Sequence, residues 1–571
     1  MHSQYIKSVT KMLKLPCLYR ASVTVVILLL YTLPGTIGHT PWKQDEAYSF
    51  GIIQHMLESG QWLVPVNAGQ PFMEKPPLYY WTATAFATFF RQWLPLHDAA
   101  RLASAFYFSV SCLFVAQFAE ISFRAPGIGS WQVIITLALY AAAPGMIKHA
   151  HDMFTDVALL AGSAIALYGL QRVASSSNGT ALDAFWLALG IVTAMLSKGV
   201  FIPAIFALTS CALPFVVRGC CTRRYWQQLC LAALIAIPLI LIWPTLLFLH
   251  SPELFYQWFW QNNIGRFIGF SVPQLGAAAS HFRIIEALAF FCFPAGVLAL
   301  IYLLRGGWKH ITHPEIAVPL LFTSFGLVVL QISSTSRHLY LLPFIAPMSV
   351  LATRGLLLLS DRFLRGWMQV MSYLFALLVL LVWGIYVAAL SQQSMQWLSP
   401  LARWLPMNFI MPLHIIPLIL ALTATVVWCF RARWITIQGK VAAAQEWFLA
   451  ILLLWGLVFT LLLPWLENAR GYQAVYTRMQ RAIAADWQAG DCVSSFNLGE
   501  SEAPLLYYFT GILHRPIFAL SPEQTEKCRW LLTESREKPV ATPVGMSLIW
   551  QDARDGDNSE FLMLFKVISV K

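Results

Sequence analysis

Few ionisable residues interrupt the long apolar runs of this sequence, and those that do are of types that move protons or hold phosphates. Asp45-Glu46 follows closely on the run Ala21 to Leu33. A carboxylate there either caps the free N–H groups that open a helix, or acts as general base or orients an acceptor hydroxyl in a site walled by lipid. Glu74-Lys75-Pro76-Pro77 comes next. Its prolines set an extended approach and a helix start, and the lysine before them either snorkels to the membrane surface or meets an anionic headgroup. His149, His151, Asp152 and Asp156 crowd the end of one apolar run and the start of another. His151 and Asp152 together with Glu74 offer oxygen and nitrogen ligands for a divalent metal, although no spacing is diagnostic of one. Asp156 reads better as a second carboxylate of the Asp45 site. Lys198-Gly199 and Ser336-Arg337-His338-Leu339-Tyr340 each break an apolar hairpin, and Arg266 and His281 complete the set. Cations held between membrane helices suit a phosphate or pyrophosphate on a lipid carrier.

The elements that must position these groups are membrane helices. Of 571 residues, 58% are hydrophobic and 11% charged, against roughly a quarter charged in soluble domains. Runs such as Leu229 to Leu249, Val370 to Leu390 and Phe448 to Leu463 approach the ~20 residues that cross a bilayer. The formal charge of +11 is scattered in short basic clusters between the runs. That pattern orients helices and does not describe a nucleic-acid surface. Lys7, Lys11, Lys14 and Arg20 precede the first run and place residues 1–20 in the cytoplasm. Phosphate-cradling glycine loops are missing from the sequence, so no nucleotide is expected.

Alternating the basic loops between faces gives thirteen spans, with residues 40–100 forming one outer segment along the membrane surface. Within it, 76–91 is short and opens on two prolines, and is expected not to cross. Ala47, Phe50, Ile53 and Leu57 recur at the spacing of an interfacial helix, stopped by Gly60. The expected fold is therefore an all-α polytopic membrane domain over 21–466, followed by a small α/β domain over 467–571 on the outer side. This tail shows no grouping of histidines and carboxylates in sequence, and an accessory or docking role is expected of it. The ten cysteines lie mostly inside apolar runs, but Cys492 and Cys528 stand beyond the last one and can pair in an oxidising compartment.

Several motifs in order resemble the aminoarabinose-transferase and protein O-mannosyltransferase superfamily, whose membrane fold is of the GT-C type. The resemblance covers roughly residues 20 to 360. It rests on Asp45-Glu46-Ala47-Tyr48, on Met56-Leu57-Glu58-Ser59-Gly60-Gln61-Trp62-Leu63-Val64-Pro65, on Glu74-Lys75-Pro76-Pro77-Leu78-Tyr79-Tyr80-Trp81, on Asp156, on Ser197-Lys198-Gly199, and on Arg337 with Tyr340-Leu341-Leu342-Pro343. It implies thirteen spans, interfacial helices in the first outer loop and a periplasmic tail domain. It also implies an integral glycosyltransferase of the bacterial inner membrane, moving a sugar with inversion from a polyprenyl-phosphate carrier to lipid A, another envelope lipid or glycan, or a protein. Asp45 then looks like the principal catalytic carboxylate, with Asp156 and Glu46 beside it. Lys75 engages the carrier phosphate, helped by Lys198, Arg337 and Tyr340, and Glu74 matches a position implicated in metal binding. The sequence departs from the pattern at Tyr48, where arginine is usual, and at Asn263, where the histidine partner of Glu74 is expected. A transporter or flippase of lipid-linked substrates is the alternative. It predicts internal repeats and helices broken at midplane, whereas the sequence shows no repeat and its charges gather on one face.

Overall fold

The structure is a computed structural model that describes residues 26–176, 178–271, 283–391, 406, 409–431, 439–520, 528–536, 540–557 and 559–568. Residues 1–20 and His281 lie outside the described residues. The chain is a multi-span membrane protein. Among the described residues eight helices are long and apolar enough to cross a bilayer, and a pair bent by 106° around Phe293-Pro294 makes a ninth crossing if taken as one. Shorter apolar helices occupy Trp131–Ala141, Phe201–Val216 and Ile415–Cys429. An apolar run in sequence is thus not always one full-length helix.

The helix Thr155–Ser175 is the centre of the bundle, with 94% of its apolar window buried, while Arg223–His250 and Asp361–Leu390 bury 28% each and present their sides to lipid. Lipid is as apolar as leucine, so helices here associate through close packing. Glycines supply it. A Cβ on Gly190 would stand 2.2 Å from the backbone nitrogen of Ala166, and one on Gly169 would stand 2.2 Å from that of Leu187. The helices Thr155–Ser175 and Ala181–Lys198 therefore meet backbone to backbone, and the charged residues at their adjoining ends come together.

Between the first apolar helix and Leu96–Phe123 lie the helices Asp45–Ser59 and Leu78–Phe90, with the two-residue strands β1 (Val66–Asn67) and β2 (Gln70–Pro71) between them. The second helix has 13 residues, about 20 Å at 1.5 Å per residue, well below the ~30 Å hydrocarbon layer.

The tail forms a small α/β domain. Its five-stranded sheet, in the order β4-β3-β5-β7-β6, is built from β3 (Val493–Phe496), β4 (Arg515–Ile517), β5 (Trp530–Arg536), β6 (Met546–Asp552) and β7 (Glu560–Val567). β3 runs parallel to β4 and β5, and β7 pairs antiparallel with β5 and β6. Leu531, Leu532, Met563, Leu564 and Phe565 are buried, which covers both faces of the central strands. A disulfide joins Cys492 to Cys528, the pairing open to these two cysteines in an oxidising compartment.

Candidate active site

Asp45 opens the helix Asp45–Ser59, but no side chain caps that helix at Gln44. The Asp45 carboxylate is engaged elsewhere: Oδ1 accepts the Tyr48 hydroxyl proton one turn on and lies 3.3 Å from Lys75 Nζ. Lys75 also donates to the Tyr48 oxygen, and its ammonium sits 4.9 Å from the centre of the Tyr48 ring. Pro76 and Pro77 bring Lys75 here by ending an extended approach and starting the helix Leu78–Phe90. Burial alone would raise the Asp45 pKa, but Lys75 and the Tyr48 hydroxyl outweigh it and hold it down at about 2. Burial likewise opposes the charge on Lys75, and the carboxylates of Asp45 and Glu74 overcome that, keeping its pKa well above the usual lysine value. Both groups are charged at neutral pH.

A second pair faces the first. Asp156, 1% exposed, stands in the first turn of Thr155–Ser175 and accepts from Lys198 at the last turn of Ala181–Lys198. Its other oxygen, Oδ2, is buried without a hydrogen-bond partner among the described residues. Lys198 Nζ lies 4.3 Å from the centre of the Tyr340 ring. Gly199 turns the chain away at φ +93°, where a Cβ would stand 2.1 Å from Asn263 Oδ1.

Beside the two lysines opens a cleft of about 120 Å³, lined by Glu74, Lys75, Lys198, Asn262, Asn263 and Arg266 together with apolar residues such as Leu159, Phe201 and Leu330. Arg266 donates to Glu74. Burial opposes the charge on Glu74, yet Lys75 and Arg266 together hold its pKa below the usual range. The structure thus brings Asp45, Glu74, Lys75, Asp156, Lys198 and Tyr340 together. Arg337 is exposed, absent from the cleft lining, and near enough to Tyr340 to act on it electrostatically.

Two expectations are corrected. Glu46 is not in this constellation: its Oε1 accepts from Arg101 Nε at 2.8 Å and from the Met153 N–H at 2.9 Å. Consecutive helical residues point about 100° apart, so Asp45 and Glu46 cannot serve one site together, and Glu46 anchors the helix to its neighbours. Glu74 does not offer a metal site, because a guanidinium occupies the space beside its carboxylate and Asn263 spends its amide on the Trp258 carbonyl. The histidines are drawn away too. Both ring nitrogens of His151 meet backbone carbonyls, of Ile147 at 2.8 Å and Tyr31 at 2.7 Å, and His149 pairs with Asp152 at 2.9 Å. The donors at the cleft do not fit a divalent cation.

Two features escape a reading of the sequence. Glu500, in the loop after β3, has its backbone oxygen accepting from Asn67 Nδ2 at 2.8 Å, and its carboxyl lies near enough to Glu74, Lys75, Asp45 and Arg266 to feel their charges. The residue keeps an exposed surface, yet desolvation by the protein around it, then Glu74 and Asp45, push its carboxyl up to about 7. The tail also groups Glu502, Glu534 and Glu560, whose oxygens approach within 4.8 Å of one another. Their separation along the chain hides the cluster, so the expectation of a tail without one is corrected.

Fold and cleft together define a class: multi-span membrane proteins with a small α/β tail domain packed against the helix that bears Asp45, and with a cleft whose lysines and arginine are paired with carboxylates. Within that class the chain has the fold of the crystal structure of ArnT from Cupriavidus metallidurans bound to undecaprenyl phosphate, with a TM-score of 0.68 over 96% of this chain and 98% of that one at 16% identity. The apo form of the same protein superposes with a TM-score of 0.64 and 15% identity over the same shares. In sequence the chain is similar to the undecaprenyl phosphate-alpha-4-amino-4-deoxy-L-arabinose arabinosyl transferases of Pseudomonas savastanoi pv. phaseolicola and Enterobacter sp. strain 638. The first is 25% identical over 59% of this chain and 61% of the relative, the second 27% over 64% and 66%. The chain therefore spans about three fifths of the length of the curated relatives it matches. No family model matches the sequence.

Proposed function

We propose that this chain is a membrane glycosyltransferase, moving a sugar from a polyprenyl-phosphate carrier to an acceptor at the periplasmic face of the bacterial inner membrane. The observation that carries the reading is the pairing of Asp45 with Lys75 and of Asp156 with Lys198 beside a cleft whose lining mixes these cations with apolar side chains. An anionic phosphate and a prenyl chain need such an arrangement. The similarity to transferases named for an undecaprenyl-phosphate donor supports the donor class. The tail disulfide favours an oxidising compartment for that domain.

The donor phosphate enters as a competing anion and draws Lys75, Lys198 and Arg266 from their carboxylates. Asp45, freed from Lys75, loses the partner that held its pKa down and becomes a stronger base. The acceptor oxygen then attacks the anomeric carbon. The bond from that carbon to the phosphate oxygen breaks, the phosphate keeps the electron pair, and the three cations stabilise the charge it gains. A hydroxyl acceptor gives its proton to Asp45, whereas a phosphate acceptor has none to give and is only oriented. Attack from the face opposite the phosphate inverts the anomeric centre. Asp156, with one oxygen unpartnered, is placed to accept from a donor-sugar hydroxyl. The acceptor class is lipid A, another envelope lipid or glycan, or a protein.

The test is Asp45→Asn, assayed with purified polyprenyl-phosphate sugar. Transfer is expected to fall by about 10²- to 10⁴-fold, while affinity for the bare polyprenyl phosphate holds or rises because Lys75 loses its resident counter-charge. Full transfer by this variant overturns the reading.

A further inference from the structure

Asp45 works at the first turn of a helix that lacks a side-chain cap, so the segment leading into that helix has a part in setting where it starts. The neighbouring residues show what holds that segment. Two positions earlier, Lys43 leaves the membrane domain and enters an acidic socket in the tail, 2.5 Å from Glu502, 3.1 Å from Glu560 and 3.8 Å from Glu534. The socket is built for a cation. The Tyr472 hydroxyl reaches Glu502 at 2.8 Å and Glu560 at 2.7 Å, Arg554 approaches Glu560 at 3.2 Å, and Glu534 accepts the Gly499 N–H at 2.8 Å. A Cβ on Gly499 would stand 2.2 Å from the Glu502 carboxylate, so a larger residue there would push that carboxylate from its place in the socket.

The loop 497–502 has a second hold on the same segment. Ser501 Oγ donates to the Gln44 carbonyl at 3.3 Å, and Pro504 packs against Gly51 of the Asp45 helix, where a Cβ would meet it at 2.4 Å. On the other side, Glu467 receives Thr40 and Trp42. Residues 40–44 are thus gripped by the tail and its connecting helix, and Asp45 is the first residue beyond the grip.

We propose that Lys43 is a positioning residue for Asp45, and that its socket of Glu502, Glu534 and Glu560 makes the tail domain a working part of the transfer site. The inference rests on Asp45 as the reactive carboxylate. Lys43 touches no substrate and acts by fixing where the Asp45 backbone starts. Displacement of a reacting group by about 1 Å can cost 10²-fold in rate.

The experiment uses the full chain with Lys43→Met and Lys43→Arg, measuring kcat, donor KM, binding of polyprenyl phosphate and thermal melting. Lys43→Met is expected to lower kcat by about 10- to 100-fold, with phosphate binding within twofold of the parent. Lys43→Arg, which keeps the charge in the socket, is expected to recover most of kcat. A loss of kcat that follows melting alone, or no rescue by arginine, overturns the proposal. If Lys43→Met does not fold, Ser501→Ala removes only the contact to Gln44, and unchanged kcat in that variant overturns it equally. Should Asp45→Asn be inactive while Lys43→Met transfers normally, this inference fails alone. Should Asp45→Asn be fully active, the proposed function fails with it.

Discussion

Every lysine of the cleft is already neutralised by a carboxylate before any ligand arrives, Lys75 by Asp45 and Lys198 by Asp156. Donor affinity is then a difference between two sets of ion pairs, and any further negative charge near them weighs against the phosphate. Glu500 is that charge. Its carboxyl, raised to about 7 by desolvation and by Glu74 and Asp45, is neutral below that pH and ionised above it. Donor KM is therefore expected to rise as pH climbs through about 7, and in Glu500→Gln to stay flat across the same interval. A KM profile identical to the parent's would remove Glu500 from the site. Asp45, Lys75, Asp156 and Lys198, which the structure brings together in two ion pairs, stood out in the sequence as candidates because ionisable residues at a membrane boundary are rare and costly. Glu500 was not, since it is one carboxylate among many in a charged tail and becomes special only through the fold. Glu46 was misread for the opposite reason: adjacency in sequence suggested a shared site, while helical geometry turned it toward Arg101.

The helices carry these residues by their ends, so their packing decides whether the cleft exists. Gly190 and Gly169 let the helices bearing Asp156 and Lys198 touch along their backbones. Gly190→Val forces side-chain atoms into the backbone of Ala166 and is expected to cost about 3 kcal/mol or more, since overpacking alone costs 1–3 kcal/mol where neighbours can yield. Thermal melting in detergent should drop, and polyprenyl-phosphate binding should weaken because Lys198 moves. A variant that melts and binds as the parent does would contradict the packing argument. Apolar length made the spans readable from sequence, and two prolines with a short run marked Leu78–Phe90 as distinct. The short helix Trp131–Ala141 and the bend at Phe293-Pro294 were less readable, because hydropathy reports how apolar a stretch is and not where its helix breaks.

At the scale of the whole molecule, the tail domain stands on its own sheet and disulfide but reaches into the membrane domain's site. Removing the disulfide, which spans 36 residues, by Cys492→Ser with Cys528→Ser is expected to cost about 2–4 kcal/mol. Tail unfolding, followed by limited proteolysis, should occur at a lower temperature, and transfer should be lost in the same interval while the spans stay inserted. Retained transfer after the tail has been digested would show the site complete without it. That the tail is an α/β domain could be inferred from its change of texture, but its hold on the residues around Asp45 could not, because partners more than 450 residues apart leave no local pattern. The arrangement also bears on how the protein is made. Lys43 leaves the ribosome more than 450 residues before Glu502, Glu534 and Glu560, which receive it, so a nascent chain can thread the intervening helices into the bilayer while Asp45 still lacks a fixed place. On the proposed role of Lys43, catalytic competence then arrives only once the socket has formed, and a chain stalled before that point leaves an inert membrane protein and no half-controlled enzyme.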